Sequence, residues 1–142
     1  MEMVFDKRIP EPKLWSPGHP DLYNVEVFLS EKDSNAEELV QSTFGIRSAA
    51  CKDSLLIINS DTLDARILII EHPADICNHS DDEMLDLLDQ GNYNAILTID
   101  PLPARLMDLF DRRGIISLIK REDTGTTRFN SDINRPCVVW VK

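Results

Sequence analysis

Two helical segments, each closed by a glycine, alternate with short apolar segments in the second half of this chain, and this alternation restricts the fold most. Residues 81–90 carry four apolar side chains at helical spacing before Gly91. Residues 103–112 repeat the pattern before Gly114. Apolar strands are predicted around them, at 65–71, 94–100, 115–119 and 137–141. Short links between strands and helices imply parallel pairing with right-handed crossovers.

The first third of the chain follows another pattern. Four prolines within the first 20 residues predict an extended leading segment. Residues 25–29 alternate as a strand does, whereas residues 37–47 are compatible with a helix or a strand. We favour a strand there, paired with 23–29 as a hairpin and ended by Gly45, because Val40–Phe44 alternate and are rich in strand formers.

A change of period near Arg47 divides the chain. We predict a short antiparallel β region over residues 1–47 and an α/β region over residues 48–142. The second region opens with a strand at 55–59, followed by a polar turn at Ser60–Asp61.

Composition excludes several classes of protein. Hydrophobic residues make up 42% and charged residues 28% of the chain, which favours a packed core over disorder. The formal charge is −10, without a cluster of Lys and Arg, so no nucleic-acid partner is predicted. The acidic surface is interpreted as an aid to solubility, with a basic partner protein as the alternative.

Neither targeting nor cofactor signals are present in the sequence. Residues 1–5 lack the basic start and apolar stretch of a signal peptide, and apolar runs such as Ile67–Ile70 are too short to span a bilayer. We therefore expect no membrane partner and a cytoplasmic location by default, although a segment outside this chain could direct a longer parent to secretion. Cys51, Cys77 and Cys137 are scattered and fit neither a disulfide framework nor a zinc site. No metal or other cofactor is predicted.

Several motifs resemble one family when they are taken in order. Trp15-Ser16-Pro17, Leu22-Tyr23 and Phe44-Gly45-Ile46-Arg47 come first, then Asn92-Tyr93-Asn94-Ala95 and finally Asn134-Arg135-Pro136-Cys137-Val138-Val139-Trp140. Together they resemble the family 2 glycoside hydrolases, which include β-galactosidases, β-glucuronidases and β-mannosidases. The resemblance implies that residues 1–47 end an immunoglobulin-like sandwich. It also implies that residues 48–142 begin a TIM barrel, which makes the predicted α/β fold a partial parallel βα barrel.

The same resemblance suggests roles for individual residues. It implies structural roles for six of them: Trp15, Tyr23, Phe44, Gly45, Arg47 and Asn94. A weak substrate-binding role, based on resemblance or on position, is predicted for Arg66, His72 and Asp100. The resemblance implies that carbohydrate is the ligand of the parent enzyme.

The resemblance does not extend to the catalytic groups. Retaining glycosidases need two carboxyl groups about 5–5.5 Å apart, and in this family both lie after the fourth barrel strand, beyond Lys142. The Gly and Asn that the family has between Arg66 and His72 are missing, and Ile119-Lys120 replaces an acidic pair. We therefore predict no catalytic residue here, and expect a fragment or truncated relative that is inactive alone.

Other interpretations remain open. Glu71, His72, Asp75 and Asp100 would lie at the carboxyl ends of parallel strands, where a divalent ion or a phosphate ester could bind. Their spacing matches no metal motif, so we favour solvated loop residues. A free-standing acidic protein-binding module is the alternative function. Residues 137–141, the most apolar late strand, are expected to mediate self-association or to pack on the first hairpin.

Overall fold

The computed structural model describes residues 4–30, 32, 37–120 and 135–141. This part of the chain forms three separate sheets and three helices. The strands are β1 (Tyr23–Ser30), β2 (Glu37–Phe44), β3 (Ala49–Lys52), β4 (Leu55–Ile58), β5 (Asp61–Leu63), β6 (Ile67–Ile69), β7 (Ala95–Thr98), β8 (Ile116–Lys120) and β9 (Val138–Val141), and the helices are α1 (Ala74–Cys77), α2 (Asp81–Gln90) and α3 (Ala104–Arg113).

The first sheet is the predicted hairpin. Strands β1 and β2 pair antiparallel over their whole length, from Tyr23 opposite Phe44 to Ser30 opposite Glu37. The rings of Tyr23 and Phe44 stack at the open end of the hairpin, where the chain enters β1 and leaves β2, with centroids 5.5 Å apart. The strand prediction for the ambiguous segment is therefore confirmed. Seven of the eight residues of β2 are exposed, so pairing with β1, and not burial of one face, accounts for the strand.

The second sheet corrects the predicted position of the polar turn. Strands β3, β4 and β5 pair antiparallel in sequence order. The turn between β4 and β5 is formed by Asn59 and Ser60, which adopt φ of 52° and 74°, and Asp61 already pairs with Ile58. Antiparallel pairing therefore continues to Leu63, and the parallel part begins later than the change of period near Arg47 indicated.

The third sheet contains four parallel strands in the order β6-β7-β8-β9. Ile67 pairs with Ala95, Ala95 with Ile116, and Leu118 with Val139. The predicted parallel pairing is thus confirmed; β6, β7 and β9 are shorter than their predicted ranges, whereas β8 has the predicted length and begins one residue later. The Asn134 end of the last family-like motif lies outside the described residues, as does the whole of 121–134.

Both long helices have clear end signals. Helix α2 begins with a capping box, in which Ser80 Oγ accepts a hydrogen bond from Glu83 N and Glu83 accepts one from Ser80 N. Helix α3 ends at Gly114, whose φ of 71° is the left-handed conformation that glycine adopts without strain. Helix α1 has four residues and was not predicted, because one turn is too short to show a period.

The core lies mainly between α2, α3 and the parallel sheet, and Trp15 of the leading segment is also part of it. No helix in the described residues is long and apolar enough to cross a membrane.

Candidate functional site

The carboxyl edge of the parallel sheet carries two of the three predicted substrate-binding residues. His72 follows β6 and Asp100 follows β7, and both side chains are exposed. The backbone oxygen of Asp100 accepts a hydrogen bond from Thr98 Oγ at 2.8 Å, which fixes the turn that follows β7. Lys120 ends the neighbouring strand β8. This edge therefore carries polar groups on three consecutive segments.

Arg66 lies at the opposite, amino edge of the same sheet. It directly precedes β6, and its backbone oxygen accepts hydrogen bonds from the backbone nitrogens of Asn94 and Ala95. Asn94 returns two side-chain bonds, accepting from Arg66 N at 2.8 Å and donating to Asp64 O at 2.9 Å. Arg66 and Asn94 therefore align the starts of β6 and β7. The structure does not bring Arg66 together with His72 and Asp100.

The divalent-ion hypothesis for the carboxyl edge gains no support. Among the described residues, no three His, Cys, Asp or Glu side chains form a group that could hold a metal ion. Asp75, one of the four residues considered, lies in the first turn of α1, where a carboxylate is favourable beside free backbone amides.

A buried polar junction connects the leading segment with α3 and β9, and its centre is Asp111. Asp111 Oδ1 accepts a hydrogen bond from Cys137 N at 2.9 Å, and Oδ2 lies 3.2 Å from Arg135 Nη1. The backbone oxygen of Asp111 accepts from Trp15 Nε1 at 2.7 Å. Asp111 is 5% exposed, so these bonds replace the water that its charge has lost.

Arg47 is the second charged residue of this junction that binds the segment leading into β9. Its guanidinium donates to the backbone oxygens of Pro136 and Val138, and more distantly to that of Arg135 at 3.4 Å. Burial lowers the pKa of Arg47, an effect that the nearby Cys137 and Asp111 partly oppose. Because an arginine carries five N–H donors, one side chain can satisfy several carbonyl groups at the start of β9.

Close packing surrounds these hydrogen bonds. A Cβ added to Gly45 would lie 2.7 Å from Pro136 Cβ and 3.0 Å from Trp15 Cβ, so the backbone at residue 45 approaches both neighbours closely. Burial and the charge of Asp111 raise the pKa of the Cys137 thiol far above its usual range. Cys137 is therefore a structural thiol without nucleophilic character.

The sequence pointed to one half of this junction. Trp15, Gly45 and Arg47 were predicted as structural residues, and all three lie in it. Asp111 and Arg135 were not predicted. The available signal was an acidic residue on the apolar side of an amphipathic helix, next to Met107 and Phe110, which are fully buried.

Two clefts open beside the junction. One, of ≈ 650 Å³, lies between the leading segment and the turn of β4 and β5, and its lining includes His19, Asp21, Asn59 and Asp61. The other, of ≈ 460 Å³, lies at the amino ends of β6, β7 and β8, and we call it the amino-end cleft. Its lining is Pro17, Gly18, Arg66, Leu85, Leu88, Asp89, Tyr93, Asn94, Arg113, Gly114 and Ile115.

Comparison with known proteins agrees with the resemblance seen in the motifs. Residues 2–47 match the family model for glycosyl hydrolases family 2. A β-galactosidase of Leuconostoc mesenteroides is 29% identical over 113 residues, which are 75% of this chain and 11% of that enzyme. The chain is a relative of the family 2 glycosyl hydrolases. This family 2 relative thus spans about a tenth of the curated enzyme that it matches.

Solved structures show the same fold at lower identity. A β-glucuronidase of Parabacteroides merdae superposes with a TM-score of 0.68 and 21% identity, over 93% of this chain and 19% of that one. A β-galacturonidase of Eisenbergiella tayi, solved with galacturonate, gives 0.66 and 20%, over 96% and 29%. The arrangement of sheets in this family 2 relative therefore occurs within larger glycoside hydrolases.

Proposed function

We propose that this chain is the junction segment of a family 2 glycosyl hydrolase, where the end of a β-sandwich meets the first half of a parallel βα barrel. Its role there is to build the scaffold that carries the substrate-facing strand ends. By this proposal, the carboxyl pair that cleaves the glycosidic bond lies outside these 142 residues.

The incomplete covering of the parallel sheet supports the proposal of a barrel. Strands β6 to β9 lie in sequence order, and right-handed crossovers in that order place the connecting helices on one face. Parallel sheets are normally covered on both faces. Here Ile67 and Ile69 remain 39% and 65% exposed, so part of the sheet is apolar and uncovered. Further βα units that close a barrel would cover it.

The buried junction is the observation that carries the scaffold role. Trp15 and Arg47 come from the part that matches the family model, and their partners, Asp111 and residues 135–138, belong to the parallel-sheet part. Most hydrogen bonds at this junction involve backbone atoms, which suits a structural contact that does not depend on a ligand. The sandwich end is thereby fixed to the barrel wall.

Carbohydrate is the substrate class that the relatives suggest. The curated relative is a β-galactosidase, and the structural neighbours are a β-glucuronidase and a β-galacturonidase. In the intact enzyme, His72 and Asp100 at the carboxyl edge are the residues of this segment that would face the sugar, because barrel enzymes bind substrates at that edge.

Turnover by the isolated chain tests the proposal. Purified chain offered nitrophenyl β-galactoside, β-glucuronide and β-mannoside should release no nitrophenol above a buffer blank, because cleavage requires two placed carboxyl groups. Activity that survives repurification and disappears in Asp100→Asn or Glu71→Gln would contradict the scaffold role. In a full-length enzyme that contains this segment, His72→Ala and Asp100→Asn should alter KM for the sugar, because these two side chains are the ones proposed to face it.

A further inference from the structure

The amino-end cleft has a charge opposite to that of the chain as a whole. Arg66 and Arg113 both line it, and Asp89 is the acidic residue in the same lining. Among the lining residues two guanidinium groups outnumber one carboxylate, within a chain whose formal charge is −10, and Asp64, which pairs with Arg66, lies outside the lining. Local positive charge of this kind attracts an anion against the field of the surrounding protein.

Arg66 is already held in place for such a ligand. Its Nε donates to Asn92 O at 2.6 Å, which fixes the plane of the guanidinium. Its ion pair with Asp64 is 3.4 Å long, and the Asp64 side chain is 93% exposed, so water weakens this contact. The remaining N–H groups of Arg66 are therefore available without breaking a strong bond.

Arg113 is the second charge. It is the last residue of α3, and its side chain makes no hydrogen bond or ion pair with any residue in the described ranges of the chain. Its neighbour Arg112 does not line the cleft and lies 3.9 Å from Asp81. Arg112 and Arg113 therefore carry the same charge and are both exposed, but Arg113 lines the cleft and Arg112 does not.

The walls of the cleft are fixed by close packing. Gly114 is buried beside the loop at Pro17, and a Cβ on it would lie only 2.4 Å from Pro17 O. Tyr93 and Asn94 are tied to α2 and β6 through the backbone bonds Tyr93 N to Leu88 O and Asn94 N to Arg66 O. A site with fixed walls loses little conformational entropy when it binds a ligand.

We infer that the amino-end cleft binds a compact organic oxyanion, a carboxylate or a phosphate ester, with its charged group between Arg66 and Arg113. Guanidinium groups match both oxyanions through paired N–H donors. The side chains of Leu85, Leu88 and Ile115, with the ring of Tyr93, provide an apolar wall for the uncharged part of the ligand. The cleft opens at the edge of the sheet opposite to His72 and Asp100, so this site is distinct from the proposed sugar-facing edge.

Amide NMR titration of the full chain tests the site with three anions: benzoate, phenyl phosphate and inorganic phosphate. Benzyl alcohol serves as the neutral control. The organic anions should give saturable shifts at Tyr93, Asn94 and Ile115, and benzyl alcohol should not. Arg113→Gln should weaken binding about tenfold, and Arg112→Gln less than about twofold, because Arg113 lines the cleft and Arg112 does not. Asp89→Asn should strengthen binding.

Several outcomes would overturn the inference. These are equal losses in Arg113→Gln and Arg112→Gln, shifts that do not saturate, and an equal response to benzyl alcohol. Preference for phenyl phosphate or for benzoate identifies which oxyanion the site takes. Because the readout is binding and not turnover, the result is independent of the glycosidase proposal.

Discussion

At Asp111, one carboxylate holds two groups from a segment that lies 24 or more residues later in the chain. One carboxylate oxygen accepts a hydrogen bond from the backbone amide of Cys137, and the other pairs with the guanidinium of Arg135. The sequence could not indicate this arrangement, because the partner segment becomes a neighbour only through tertiary packing. Trp15 and Arg47 were recognisable only because their motifs resemble a family.

Asp111→Asn should destabilise the chain by about 2–4 kcal/mol, since it removes the buried carboxylate that pairs with Arg135 and gives Cys137 N a poorer acceptor. Arg135 also pairs with Asp108 at 2.5 Å, but that carboxylate is 54% exposed. Asp108→Asn is the matched control and should cost less than about 1 kcal/mol. Urea unfolding of the three proteins measures both values, and equal losses would mean that burial of Asp111 has no energetic importance.

Two glycines offer a second comparison. Gly114→Ala should cost at least about 2 kcal/mol, because alanine is strained at positive φ and its Cβ would clash with the backbone of residue 17. Gly18→Ala should change stability by less than about 0.5 kcal/mol, because a Cβ there meets nothing within 4 Å. Thermal unfolding is the measurement. A neutral Gly114→Ala would show that the loop at residue 17 moves freely.

Among the elements, α2 shows how far sequence alone can reach. Its predicted bounds, 81–90, match the observed helix, because the period, the acidic first turn and Gly91 all agree. Strands β3 and β5 were not predicted as strands. They are three or four residues long, mostly exposed, and acquire their conformation from pairing with β4. The pattern of apolar residues predicts elements that bury one face in the core. It misses short exposed strands whose conformation comes from hydrogen bonds to a neighbouring strand.

Removal of the capping box should destabilise α2. Ser80→Ala should cost about 1 kcal/mol, with Ser42→Ala in exposed β2 as a control near zero. The hydrogen bonds with Ser80 lower the pKa of Glu83, so their contribution is present above the ordinary Glu pKa and is lost as pH falls through the lowered one. Denaturant unfolding at neutral and acid pH should show a larger loss in the native chain than in Glu83→Gln, because the backbone N–H of residue 80 is the larger cause of the lowered pKa of Glu83 and only removal of the carboxyl group abolishes it.

Over the whole molecule, the predicted order of an antiparallel region and then a parallel α/β region is present, whereas closure into a barrel remains a proposal. Residues 137–141 were expected to associate with other chains or to pack on the first hairpin, and in the described residues β9 lies at the edge of the parallel sheet. The structure makes Val139 a poor probe of that idea. Its side chain is 5% exposed and it pairs with Leu118, so a charge there would disturb folding.

Ile69 is the better position for testing self-association. It is 65% exposed on β6, the opposite edge strand of the parallel sheet. We expect the native chain to associate at micromolar concentrations and Ile69→Lys to reduce its mass in light scattering, because a charge blunts an apolar edge. Trp140→Lys tests β9 in the same way, since that ring is 40% exposed. A monomeric native chain would contradict the expectation for both edges.

The spacing of the junction contacts determines when they can form. Trp15 meets its partner 96 residues later and Arg47 meets one 91 residues later, whereas the first hairpin closes locally. During synthesis the backbone of Trp15 can bind Ile46 O and the Asn59 side chain as soon as these residues have emerged. The side chains of Trp15 and Arg47 must wait until Asp111 and residues 136–138 have left the ribosome, because contacts of high sequence separation form last. Nascent chains stalled soon after residue 113 should leave the bond before Trp15 open to protease, and those extended well past residue 141 should protect it.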